Sequence, residues 1–112
     1  MDFIIKNIKE NIVSVARKIG YVIIDTKENN EYNLVRKLAG DNYPRFHVYV
    51  KQKLARHNAG ALGGDNDFEF SLHLDQKKPV YKGQRAHSGE YFGPVVEEEA
   101  DRIKEILTAH PV

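Results

Sequence analysis

The chain has 112 residues, 41% of them apolar and 29% charged, which fits one compact domain spanning 1–112 rather than a disordered or membrane chain. It contains no cysteine, so disulfides, thiolate nucleophiles, iron–sulfur clusters and cysteine-bound zinc are excluded. The net charge is +1, too even a balance for generic binding to polyanions.

The charge is unevenly spread. Residues 1–56 carry 11 basic and 6 acidic side chains, and residues 57–112 carry 6 and 10. Such a dipolar chain suits a binder or a self-associating protein. No run approaches the roughly 18 apolar residues of a spanning helix. Asp2, Lys6, Lys9, Glu10, Arg17 and Lys18 do not make a signal peptide. A soluble cytoplasmic protein with no membrane partner is therefore expected.

In chain order, Ile5, Ile8, Ile12, Val15, Ala16 and Ile19 recur at three- and four-residue steps and predict an amphipathic N-terminal helix. Asp2 stands as its cap and Gly20 as its left-handed stop. Tyr21-Val22-Ile23-Ile24 is β-branched and aromatic and predicts a strand. Asp25 to Asn30 is turn material, Tyr32 to Leu38 a second strand, and Ala39 to Pro44 another turn. The facing of Leu34, Val35 and Arg36 stays open, because either phase buries one awkward residue.

Two strands are far clearer. Over Arg45 to Gln52, Phe46, Val48 and Val50 alternate with Arg45, His47, Tyr49 and Lys51. Over Asp67 to Asp75, Phe68, Phe70, Leu72 and Leu74 alternate with Glu69, Ser71, His73 and Asp75. Strict alternation predicts an antiparallel sheet with one buried and one wet face. The stretches 53–66 and 76–93 read as long irregular connections. A final helix is expected from about Pro94 to Ala109, with proline and Glu97, Glu98 and Glu99 at its start and Val96, Ala100, Ile103, Ile106 and Leu107 as its apolar stripe. The fold class is thus α+β: an antiparallel meander of three or four strands, with the N-terminal and C-terminal helices on one face.

Register on the wet face decides which side chains meet. Setting Arg45 opposite Asp75 and Lys51 opposite Glu69 makes two charge pairs at once, each worth roughly 0.2–1 kcal/mol. The same register places His47 opposite His73 at the centre of the open face, with Tyr49 and Asp75 beside them. His87, from the following segment, is positioned in sequence to fold over the same surface. Two histidines with Asp75 or His87 could hold zinc or another divalent ion, but two surface histidines that happen to stand opposite are the simpler reading and no HExxH-type spacing is present, so the expectation is no metal site and no cofactor.

The order helix, meander, helix resembles the double-stranded-RNA-binding-domain fold and the small mRNA-interferase toxins built on it. The Gly20-Tyr21 break leading into a strand and the His47-Val48-Tyr49 triplet carry the likeness to the toxins. That resemblance implies RNA as a ligand and His47 as a catalytic group. However, Arg45-Phe46 precede His47 where the toxins have Gly-Ser or Gly-Thr. Glu97-Glu98-Glu99 also stand at a helix start that is basic in the RNA-binding domains. Nucleic acid is therefore the lesser candidate. Separately, His73-Leu74-Asp75-Gln76-Lys77-Lys78 with Ala86-His87-Ser88-Gly89-Glu90-Tyr91 is similar to small bacterial proteins of unknown function, a likeness over most of the chain that implies no activity.

The leading functional expectation is a non-enzymatic binding module. Its open sheet face (His47, Tyr49, His73 and Asp75, joined by His87) would take a macromolecule or small ligand. The competing class is a small RNA-cleaving or hydrolytic enzyme that uses His47 and His73. A third is a homo-oligomer that buries the open face against a second copy.

Overall fold

The computed structural model describes residues 1–54, 66–76, 89–90 and 93–108. Its elements, in order, are β1 (Asp2–Ile8), α1 (Ile12–Ile19), β2 (Val22–Lys27), β3 (Glu31–Lys37), β4 (Arg45–Leu54), β5 (Asn66–Asp75), the two-residue β6 (Gly89–Glu90) and α2 (Pro94–Thr108). The long strands form one antiparallel sheet in the order β1-β5-β4-β3-β2. The short β6 pairs with the end of β5 beyond β1.

The first element corrects the sequence expectation. Asp2–Ile8 is a strand, and the helix begins only at Ile12. Phe3 and Ile5 pair with Phe70 and Phe68, so an alternating pair seals the far side of β5, which a helix could not do. The spacing Ile5, Ile8, Ile12 is helical by coincidence. Asn7, at φ 61°, interrupts the strand, and Asn11 rather than Asp2 caps α1, its side chain accepting from the Ser14 N–H at 2.9 Å. At the other end Gly20 lies in the left-handed region at φ 80°, as expected. The N–H groups of Gly20 and Tyr21 close onto the carbonyls of Arg17 and Ala16.

β2 and β3 are joined by a turn in which Asn29 and Asn30 both take positive φ, a conformation asparagine tolerates better than most residues. The β4–β5 register is the one that charge pairing selects: Arg45↔Asp75, Phe46↔Leu74, His47↔His73, Val48↔Leu72 and Lys51↔Glu69. One ion pair differs from expectation. Lys51 reaches Glu31 at 3.7 Å, while Glu69 takes Lys53 at 2.7 Å.

One apolar cluster holds the fold. Phe46, Val48, Val50, Phe68, Phe70, Leu72, Leu74, Leu34 and Ile5 of the sheet join Val15 and Ile19 of α1 and Val96, Ala100 and Ile103 of α2. Each fully buried large side chain contributes roughly 1.5–3 kcal/mol. Leu34 belongs to this side, opposite Val48, and Val35 to the other, opposite His47. The in-phase residue Arg36, which made this choice awkward, is met by a buried acid. Glu99 is 3% exposed and accepts from Arg36 Nε and Nη2 at 3.0 and 2.9 Å, from Arg102 Nε at 2.7 Å and from the Tyr21 hydroxyl at 2.6 Å. Arg102 also donates to the Ile19 carbonyl at 2.6 Å. Glu99 therefore ties α2 to β3 and to the end of α1. It sits in step with Val96 and Ile103 on the inner stripe, whereas the reading of Glu97-Glu98-Glu99 as a helix-start feature fits its exposed neighbours.

Removing this carboxylate leaves two guanidinium groups facing each other without their anion. Glu99→Ala is expected to lower the unfolding free energy by about 3 kcal/mol. Glu98→Ala, at an exposed position, should stay within about 0.5 kcal/mol of the parent. Urea unfolding of the two variants measures the contrast.

Candidate functional site

The sheet face away from the apolar cluster is built from cross-strand rows. One row runs Ile4, Glu69, Lys51, Glu31, Lys27; the next runs Asp2, Ser71, Tyr49, Asn33, Asp25. The third runs His73, His47, Val35, Val22, and beyond it stand Asp75, Arg45 and Lys37. Alternation along each strand and pairing across strands leave these side chains no other face.

His47 and His73 stand side by side with ring centroids 4.7 Å apart, and Tyr49 lies 4.5 Å from the first and 5.6 Å from the second. Asp75 joins both: its Oδ2 is 3.4 Å from His47 Nδ1 and its Oδ1 is 3.0 Å from His73 Nε2. Arg45 Nε donates to the same Oδ2 at 3.3 Å, with its guanidinium over the Tyr43 ring. Burial alone would raise the Asp75 pKa, but the hydrogen bonds and charges of the two imidazoles outweigh it and hold the carboxyl well below the usual carboxylate range.

The sequence therefore identified the right neighbours but the wrong exposure. The imidazoles were expected to face solvent; His47 is 9% and His73 6% exposed, while Tyr49 is 48% exposed. The rings shield one another, Asp75 and Arg45 close one side, and Val35 and Asn33, also buried, close another. The wet face is thus dry at its centre. His87 lies outside the described residues.

Two residues that the sequence reading missed belong to this face. Asn33 is buried, donating from Nδ2 to Asp25 at 3.5 Å, and Val35 packs opposite His47. The signal for both was phase: with Leu34 inward, Asn33 and Val35 fall beside Tyr49 and His47. Among the described residues, two buried side-chain polar atoms lack a hydrogen-bond partner, Asn33 Oδ1 and His47 Nε2. Both lie on this face, Asn33 directly opposite Tyr49 and His47 two residues before it on β4. The face also holds a cavity of about 690 Å³, whose lining includes Asp2, Ile4, Asn33, Tyr49, Glu69 and Ser71.

Among the described residues no helix is long and apolar enough to cross a membrane. No protein-family model, curated protein or solved structure matches this chain.

The depressed acidity of Asp75 and Glu99 carries a stability consequence. A carboxyl with a lowered folded pKa binds its proton less readily in the folded chain than in the unfolded one, so its contribution is complete above the unfolded value of about 4 and is lost as pH falls through the folded value. Unfolding free energy should therefore decline as pH is lowered below about 4. The decline should be shallower in Asp75→Asn than in the parent. Urea midpoints across the acid range test this, and identical slopes would remove Asp75 from the account.

Proposed function

We propose that this is a non-enzymatic binding module in which the two helices cover the apolar side of the sheet and the opposite face receives the ligand. One observation carries the reading. The two buried side-chain atoms without partners among the described residues, Asn33 Oδ1 and His47 Nε2, both belong to that face, and Asn33 lines the cavity. A buried polar group left unpaired costs about 1–3 kcal/mol, and a ligand that hydrogen-bonds there recovers it.

The cavity chemistry narrows the ligand class. Its volume lies in the range of small-molecule sites. Its lining holds the acids Asp2, Glu31 and Glu69 and the lysines Lys27 and Lys51. Several of these charges already have partners: Lys51 with Glu31, Glu69 with Lys53, and Asp2 accepting from the Ser71 hydroxyl at 2.8 Å. A mixed, internally compensated lining gives little attraction to phosphate chains. It suits an uncharged, flat molecule or an extended peptide segment that lays a ring or plane on the half-exposed Tyr49 and presents an N–H to Asn33 Oδ1.

A second reading rests on a separate feature, the pair of imidazoles held by one carboxylate. A carboxylate that orients an imidazole is a common element of acid–base catalysis. In that reading the protein is a small hydrolytic or RNA-cleaving enzyme using His47 and His73.

Titration with a fragment set of planar amides and heteroaromatics, followed by amide and side-chain NMR, separates the two. Binding is expected to shift Asn33, Tyr49 and Ser71 while leaving α1 and α2 unmoved. Tyr49→Ala and Asn33→Leu should each weaken binding about tenfold. Shifts confined to the helices would refute the binding face. Turnover of an RNA oligonucleotide or ester that vanishes in a folded His47→Ala, His73→Ala double variant would establish the enzyme instead.

A further inference from the structure

We infer that His47, His73 and Asp75 form a divalent-metal site of the two-imidazole, one-carboxylate type. The inference goes beyond the ligand-binding reading and does not depend on it.

The argument begins with strand geometry. Residues two apart on one strand, together with the residue directly opposite the first on the next strand, point to the same side and meet within about 5–8 Å. His73 and Asp75 are the residues two apart, and His47 stands opposite His73. Their donor atoms converge further than the backbone requires, all lying within 4.8 Å of one another. Metal–donor bonds of about 2.0–2.1 Å place neighbouring donors roughly 3.3–3.4 Å apart around a tetrahedral ion. His73 Nε2 stands 3.0 Å from Asp75 Oδ1, close to that edge, and His47 Nδ1 stands 3.4 Å from the other oxygen of the same carboxylate, Oδ2.

Burial supplies an independent observation. His47 is nine-tenths buried, and its Nε2 has no partner among the described residues. This imidazole is held in place by the Tyr49 and His73 rings and by Asp75, with its Nδ1 turned to the carboxylate. Arg45 donates to Asp75 Oδ2 at 3.3 Å and acts as the outer-shell donor that ligating carboxylates usually have.

Two imidazoles, which ligate in their neutral form, and one carboxylate suit zinc and neighbouring borderline ions rather than calcium or magnesium, which prefer all-oxygen shells. Three protein donors also leave a coordination position for water or a ligand. The site stands at the edge of the cavity, because Tyr49 both lines the cavity and packs on the two imidazoles. No sequence motif announces such a site, since its donors come from two strands and meet only through register.

Titration of the apo protein with Co²⁺, and in competition with Zn²⁺, tests the site directly. One equivalent of Co²⁺ should produce the visible d–d bands of a four- or five-coordinate ion, and Zn²⁺ should displace it. His47→Ala and His73→Ala should each weaken binding by more than about 100-fold, beyond the 10–100-fold typical of outer-shell changes. Asp75→Asn should weaken it at least tenfold. In the unsubstituted protein, Zn²⁺ should move the ring resonances of His47 and His73, a readout that survives even if a variant fails to fold. Absence of d–d bands, or Zn²⁺ shifts confined to other histidines, would overturn the inference. A metal that binds while fragments still leave Asn33 and Tyr49 unmoved would uphold this site and defeat only the ligand groove.

Discussion

The pairing of β4 with β5 governs what this protein can do. Each strand alternates between large apolar and polar side chains, so a slip of one residue would turn Phe46, Val48 and Val50 to the polar side and bring Arg45, His47 and Tyr49 into the core. A slip of two would keep the faces but separate Arg45 from Asp75 and His47 from His73. The apolar cluster fixes the parity, and the charged and aromatic pairs of the other face fix the register. The juxtaposed imidazoles follow from that register without further cost in design. What the rest of the fold adds is a boundary: β1 and β3 pair on the two sides of this hairpin and bring Asp2, Ile4, Asn33 and Val35 alongside the aromatic and imidazole row.

A second constraint acts on the other side of the sheet. An arginine in step with core residues on a central strand is costly unless its charge is met. Arg36 is met by Glu99, which the phase of α2 carries inward between Val96 and Ile103. The arrangement orients the helix as well as neutralising the charge. Two guanidinium groups and a phenol converge on one carboxylate, and Arg102 reaches on to the last carbonyl of α1. The packed apolar stripe alone would tolerate α2 sliding by a turn; a carboxylate accepting five hydrogen bonds does not. Burial works against Glu99, yet these hydrogen bonds outweigh it and keep its carboxyl below the usual range.

How much of this was legible in the sequence depends on how much each residue's neighbours are set locally. β4, β5 and their register could be read because alternation and opposite charges are properties of the two segments alone. β1 could not, since Phe3 and Ile5 show alternation over a single step while Ile5, Ile8 and Ile12 continue at helical spacing, and only the open side of β5 decides between the two patterns. The phase of β3 hinged on whether Arg36 had a partner, and that partner is far along the chain in a run of three glutamates with no individual mark. For the candidate site the chemistry of His47, Tyr49, His73 and Asp75 was visible, but their burial was not. Exposure depends on what packs beside a ring, and here Val35 and Asn33 do so from the strand whose phase was unresolved.

That burial changes the meaning of the cluster. Two solvated histidines opposite each other on a sheet call for no explanation, since water satisfies every ring nitrogen. Two buried ones gripping a single carboxylate are different. The desolvation cost has been met, the rings are held at fixed separations, and an anion stands within reach of both. Asn33 Oδ1 and His47 Nε2 add polar atoms without partners among the described residues, in a region that repacking with apolar side chains could have made more stable. Unpaired buried polar atoms of this kind are what the proposed binding face would offer a ligand. The stabilising devices elsewhere in the fold, above all the carboxylate lock on α2 and the phenylalanine-rich pairing of β1 with β5, are where the compensating free energy resides.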